Sequence, residues 1–323
     1  MKKKLAVGIL LGALLIYLSI RGINFHDVVD GLNTIRYGYL LPVLISLFLI
    51  QVLRSFRWGI ILSPIVEVDQ LSLFSVTSVG FLAITAIPAR VGELARPYLI
   101  TKRSQIGMSA ALGTILVERV FDCLTVLTIF LFALLFAPIP PWLMRSGLIF
   151  LAVIVGILAL MTCMIAKREA SVRVVNSICR KLPERYTLKV SHLFHQLIDG
   201  FKIMTDPGLL LKVVSLSVVI WLLDVTAIYF MFLASGFALP LTAPFVVMII
   251  LMIGITIPAA PGFVGNWHFA CILGLSLFGI PKAEAFTFSV MFHVLCVGLI
   301  IVLGLLFLPS NRFSFSDLSG QEK

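Results

Sequence analysis

The sequence predicts an all-α integral membrane protein: six transmembrane helices plus two re-entrant helical hairpins, arranged in two inverted repeats. Three observations predict it. Of the 323 residues, 60% are apolar and only 12% charged, against roughly 25% charged in soluble domains, and the mean hydropathy is +1.11. Apolar runs of helix length recur along the chain. Lys and Arg crowd some connections and avoid others, which orients each run. This composition excludes a disordered chain, which requires low hydrophobicity. The 5 cysteines are scattered without C-x-x-C spacing, which excludes a secreted disulfide scaffold. A net charge of +10 on so apolar a chain describes loops facing anionic lipid, not a nucleic-acid surface.

The first run, Leu5–Ile20, has 16 residues behind Lys2, Lys3 and Lys4. No A-x-A cleavage site follows it, so it reads as an uncleaved span. Further runs lie near Tyr39–Leu53, Leu71–Ile87, Ile115–Ala137, Gly147–Ala166, Val213–Ala234, Phe245–Ile257, Trp267–Ile280 and Ala285–Leu308. Crossing a 30 Å hydrocarbon core takes roughly 20 residues. Trp267–Ile280 is too short, its 14 residues reaching about 21 Å. The stretch after Pro88 is interrupted by Arg90, Glu93 and Arg96.

Charge bias then orders these runs. Lys167–Lys212 holds nine Lys/Arg against four acids and reads as cytoplasmic, as do Lys2–Lys4 and the Arg54/Arg57 pair. Pro138–Arg145 and the uncharged Ser235–Ala243 read as external. Parity then requires residues 71–102 to enter and return on one side, and residues 242–280 to do so from the other. The tips of these two hairpins are Pro88-Ala-Arg-Val-Gly-Glu93 and Pro258-Ala-Ala-Pro-Gly-Phe-Val-Gly265. Non-helical backbone at such depth is tolerated where protein or a polar cavity surrounds it. Both termini fall in the cytoplasm.

Oppositely directed hairpins suggest internal symmetry. Pro88-Ala-Arg-Val-Gly-Glu aligns with Pro261-Gly-Phe-Val-Gly-Asn at an offset of 173, and Arg119 falls on His293 at an offset of 174. Residues 1–137 form the first repeat, of two spans, hairpin 71–102 and a span. An external loop covers 138–146. The second repeat, 147–309, has a span, the cytoplasmic segment 167–212, a span, hairpin 242–280 and a span. A cytoplasmic tail covers 310–323. In segment 167–212, Val172, Val175, Ile178 and Leu182 recur at three and four, as do Leu193, Leu197, Ile198 and Phe201. This predicts amphipathic helices on the cytoplasmic leaflet, with a plain connector as the alternative.

Charge at membrane depth is costly unless paired or wet, so it marks candidate sites. Arg90, Glu93 and Arg96 lie in and after the first tip. Glu118, Arg119 and Asp122 share one helix face by i,i+3 and i,i+4 spacing. Asp224, Asn266, His268 and His293 lie in the second repeat. A broken helix exposes amide N–H groups and a positive dipole end that suit an anion, and the planar fork of arginine suits phosphate. Gly92 and Gly265 would let a ligand approach the backbone. The ionised carboxylates are not phosphate ligands; they pair with the arginines, orient them or carry protons. Buried salt bridges bracing the hairpin are the alternative. Snorkelling and aromatic anchoring account for Arg54, Arg57 and Trp58. No His/Cys/Glu spacing supports a metal, and no cofactor motif occurs, so neither is expected.

Pro88-Ala-Arg-Val-Gly-Glu-Leu-Ala-Arg96, Glu118-Arg119-Val-Phe-Asp122 and Ala260-Pro-Gly-Phe-Val-Gly265 together resemble the lysylphosphatidylglycerol synthetase transmembrane-region, or flippase-like domain, family over nearly the whole chain. The resemblance implies a prokaryotic inner-membrane protein. In synthetase members this domain is implicated in moving aminoacylated phosphatidylglycerol between leaflets, and other members are associated with isoprenoid-linked glycan or envelope-lipid pathways. Many members have Glu and Arg where this chain has His268 and His293. The chain ends at Lys323 and is expected to lack the C-terminal lysyltransferase domain of the synthetases. The expected function is transbilayer movement of an anionic phospholipid or polyprenyl-phosphate-linked lipid, by a transporter rather than a chemical catalyst. Membrane lipid and envelope-lipid biosynthetic enzymes are the candidate partners, and nucleic acid is not. An integral-membrane lipid-phosphate transferase and a non-catalytic scaffold are the alternatives.

Overall fold

The computed structural model describes residues 2–87, 92–134, 141–178, 184–256 and 260–311. Among these the regular structure is helical, with no strand. The α-helices are α1 (Lys2–Ile20), α2 (Phe25–Asn33), α3 (Leu40–Leu62), α4 (Gln70–Ala86), α5 (Ala95–Arg103), α6 (Met108–Leu134), α7 (Pro141–Ala166), α8 (Arg168–Ile178), α9 (Glu184–Asp199), α10 (Pro207–Ala234), α11 (Ala243–Thr256), α12 (Asn266–Ser276) and α13 (Lys282–Asn311).

Local chemistry sets many of the ends. Asp206 caps α10, its carboxylate accepting from the amides of Gly208 at 2.8 Å and Leu209 at 3.0 Å, with Pro207 at the first helical position. Asp69 caps α4 through the Ser72 amide at 2.8 Å. Lys102 and Arg103 close the last turn of α5, where the helix dipole favours cations.

Among the described residues, four helices are long and apolar enough to cross a membrane: α3 with its preceding turn, the Gly147–Ala166 part of α7, α10 and α13. Shorter apolar helices are Leu10–Ile20 of α1, α4 and α11. α6 runs for 27 residues where a span was expected, but carries Glu118, Arg119 and Asp122 at its middle. Those charges remove it from the apolar set, and burial supplies what hydropathy does not.

α4 and α5 form an antiparallel hairpin. Gly92 lies so close to the Ala83 carbonyl that a Cβ would collide with it, Gly80 takes the aliphatic part of Arg96, and Arg103 Nη1 donates to Ser72 Oγ at 2.9 Å. α11 and α12 form a second hairpin, where Gly254 faces Ala270 and Gly274 faces Val247. α3 packs along α10 between them, and α13 packs on α4, α12 and α2. α6 touches α3, α5, α10 and α11.

Within residues 167–212 lie α8, α9 and the start of α10. The apolar face expected on the leaflet is used differently. Ile198 and Phe201 are buried, and the backbones of Gly113 and Gly200 touch, so α9 rests on α6 as a protein contact. Arg168 ties α8 to Asp199 at 2.8 Å.

Candidate functional site

The central feature around the first hairpin is a buried ionic brace. Arg96 of α5 donates from Nη1 and Nη2 to the two oxygens of Glu118, both at 2.9 Å, and its guanidinium lies 4.3 Å from the Trp58 ring centroid. Such a bidentate fork is among the strongest neutralising contacts available to a buried carboxylate. Arg57 of α3 donates from Nη1 to Asp122 Oδ1 and to Ser217 Oγ, both at 2.7 Å, and its Nη2 lies 3.6 Å from Glu118. Trp221 Nε1 gives Asp122 a further donor at 3.2 Å, and Trp58 Nε1 reaches Thr114 at 3.1 Å. Arg57 and Arg96, joined on α6 itself by Arg119, surround the two carboxylates and tie α3, α5, α6 and α10 together. The net value of such a set is modest, but removing one member strands the others.

Next to the brace lies a cavity of about 220 Å³ between the two hairpins. Phe81, Ile84, Thr85 and Glu93 line it from the first hairpin; Met252, Ile255, Phe263 and Trp267 line it from the second. α3 contributes Gln51 and Arg54, α6 contributes Arg119, α10 contributes Trp221 and Asp224, and α13 contributes Cys296. Arg119 bridges brace and cavity: Nη2 holds Glu118 at 2.9 Å while 44% of the side chain remains accessible. The cavity therefore presents two arginines and two carboxylates in an otherwise apolar wall.

The second hairpin is held by neutral groups. Asn266 Nδ2 donates to the Gly254 carbonyl at 3.1 Å, clasping the two arms. His293 Nε2 lies 2.7 Å from the Gly262 carbonyl; since that oxygen only accepts, Nε2 carries the proton. His268 Nδ1 lies 3.1 Å from Ser289 Oγ, and the two imidazole centroids are 4.9 Å apart. Trp267 packs on Phe292 and His293.

The structure sorts the residues singled out in the sequence. Arg90 falls outside the described residues. Glu93, Arg119 and Asp224 line the cavity. Arg96, Glu118 and Asp122 belong to the brace, so Arg96 is committed to a carboxylate and a ring and does not line the cavity. Asn266, His268 and His293 secure the second hairpin and also do not line it. The glycines take protein backbone where ligand was expected: Gly92 fits against Ala83, and Gly265, at φ 94°, fits against the Gly12 carbonyl of α1.

Two arginines of α3 sit otherwise than their place near a basic helix end suggests. Arg57 does not snorkel; it is 0% exposed and ion-paired. Arg54 faces the cavity. A signal was present for Arg54, since Gln51, Arg54, Ser55 and Trp58 recur at i, i+3, i+4 and i+7 and form one polar stripe along α3, the mark of a face turned to protein; Arg57 lies off that stripe.

These features define an integral membrane protein with a charged cavity set between two helical hairpins. The chain belongs to the family described as lysylphosphatidylglycerol synthase TM region, which matches residues 5–304. It is similar to a UPF0104 membrane protein of Methanothermobacter thermautotrophicus, 25% identical over 98% of each chain. It is also similar to a UPF0104 membrane protein of Methanocaldococcus jannaschii, 22% identical over 87% of each. No solved structure matches the chain.

Proposed function

We propose that the protein moves an anionic phospholipid or isoprenoid-linked lipid between leaflets, its phosphate held in the cavity by Arg119 and Arg54 while its hydrocarbon stays in lipid. The observation that carries this reading is the cavity itself, walled by both hairpins and carrying accessible guanidinium at a depth where charge is otherwise excluded. This revises the phosphate site expected from sequence, since Arg96 already serves Glu118. Glu93 and Asp224 balance the arginines when no ligand is present. The family's description and its relatives' names support a lipid-related membrane role.

The fuller topology belongs to the same proposal: α1, α3, α6, α7, α10 and α13 cross the cytoplasmic (inner) membrane, both hairpins are re-entrant, and both termini are cytoplasmic. Two inverted repeats, 1–137 and 147–309, supply alternating access. The pairing of elements supports this. α3 packs on its counterpart α10, α4 packs on α13 as α11 packs on α6, and α2 packs on α13 as α9 packs on α6.

Leaflet exchange of labelled phospholipid and polyprenyl phosphate in proteoliposomes tests the reading. Exchange by the intact chain, reduced at least tenfold by Arg119→Ala, is the expected result. Absence of exchange for every lipid by a folded protein would favour a transferase or scaffold.

A further inference from the structure

Of the charged residues on the cavity wall, Arg54 and Asp224 lie on the neighbouring helices α3 and α10, outside the brace. Arg54 on α3 has no carboxylate within ion-pairing distance among the described residues, and its guanidinium lies 5.2 Å from the Phe81 ring centroid. Asp224 on α10, on the same wall, has neither an ion-pair nor a side-chain hydrogen-bond partner among the described residues. Their helices pack along each other, and both side chains line the one cavity. The other titratable groups of the wall are Arg119 from α6, Glu93 from the first hairpin and Cys296 from α13. Asp122 of α6 is held by Arg57 and Trp221, and α11 contributes no titratable residue.

A carboxylate in a mostly apolar wall stays ionised only while something compensates it. On this wall, among the described residues, the cation that no carboxylate already pairs is Arg54. We propose that Asp224 is a proton site coupled to anion capture: when a phosphate-ester anion occupies Arg54, Asp224 takes up one proton, and it releases that proton when the anion leaves. This rests on the reading of the cavity as a phosphate site and adds the ion that travels with the phosphate.

The step balances simply. A proton from water forms an O–H bond to an Asp224 carboxylate oxygen, and nothing is oxidised or reduced. The anion brings one negative charge and the proton one positive charge, so the loaded cavity carries the same net charge as the empty one. An electroneutral load does no work against the membrane potential, and a pH difference across the membrane gives the movement its direction. Linkage makes the effect reciprocal, so anion affinity rises as pH falls, by the factor with which the anion raises proton affinity.

The test is calorimetric titration of the full chain in detergent, in paired buffers of different protonation enthalpy. The probes are dihexanoyl phosphatidylglycerol and dimethyl phosphate, diesters that do not themselves titrate near neutrality. The expected result is close to one proton taken up per anion bound, with affinity falling about a hundredfold from pH 6 to pH 8. Asp224→Asn should bind without proton uptake and with a flat pH profile, while Asp224→Glu restores uptake. Arg54→Gln should lose anion binding and uptake together. Continued shielding of the buried Cys271 thiol shows that each variant is folded. Uptake with dimethyl phosphate as well as lipid assigns recognition to the phosphate ester; uptake with lipid alone assigns it to the headgroup with its chains, and either supports the coupling. Wild-type binding without proton uptake, or uptake that persists in Asp224→Asn, overturns the coupling and leaves the phosphate site standing. Failure of both probes to bind the wild type overturns the phosphate site and the coupling together.

Discussion

The two hairpins share one plan and are secured by opposite chemistry. Around the first, Arg96, Arg57, Glu118 and Asp122 form a buried set of full charges linking four helices. Around the second, the contacts are an amide to a carbonyl, an imidazole to a carbonyl, an imidazole to a hydroxyl, and stacked rings. Buried ions hold geometry because any displacement leaves charge uncompensated in a low dielectric. Neutral hydrogen bonds exchange partners at lower cost. Displacing the first hairpin therefore costs more than displacing the second.

The largest expected effect comes from breaking the ionic wall. Glu118→Gln keeps the shape but leaves Arg96 and Arg57 short of one negative charge, and should cost about 3–5 kcal/mol. Thermal unfolding in detergent, followed by exposure of the buried Cys271 thiol, measures it. A smaller loss is expected across the cavity. His293→Phe keeps the ring packing and removes only the bond to Gly262, costing about 1–2 kcal/mol in the same assay. Equal losses for the two variants would erase the distinction between the walls.

The smallest effect tests a local feature beside the first hairpin. The Ser72 amide holds the Asp69 carboxyl below the usual carboxylate range. A depressed folded value means that the cap contributes fully above the ordinary carboxylate pKa and fades as pH falls through the lower folded value. Asp69→Ala should thus cost about 1 kcal/mol at neutral pH, with a smaller difference from wild type below about pH 4. A difference that stays constant across that range would remove the cap from the account.

Legibility in the sequence divides along the same line. The apolar runs, the two Pro-Gly-rich tips and the charge bias are local signals, and helices α3, α7, α10 and α13 follow from them directly. Glu118, Arg119 and Asp122 stood out because charge on an apolar helix is conspicuous. Arg57 did not, because its position near a basic helix end has an ordinary explanation in a snorkelling side chain. α3 continues to Leu62, however, which places Arg57 more than a turn inside the helix and facing Asp122. Gly92 and Gly265 read in the sequence as places where a ligand approaches the backbone; in the structure they lie against Ala83 and Gly12.

The sequence by itself determined that the chain is helical, that it belongs in a membrane and which charged residues are out of place there. These follow from composition and from periods of three and four residues, which the backbone geometry of one helix dictates. Only the tertiary structure decided which charges neutralise one another and which remain facing the cavity. Arg96 and Arg119 are alike in type and lie one helix apart, yet one closes on Glu118 and Trp58 while the other keeps an accessible face. That outcome depends on which helices pack together, because an ion pair forms between residues brought within a few ångströms, and here the paired residues lie 22 and 65 positions apart in the chain.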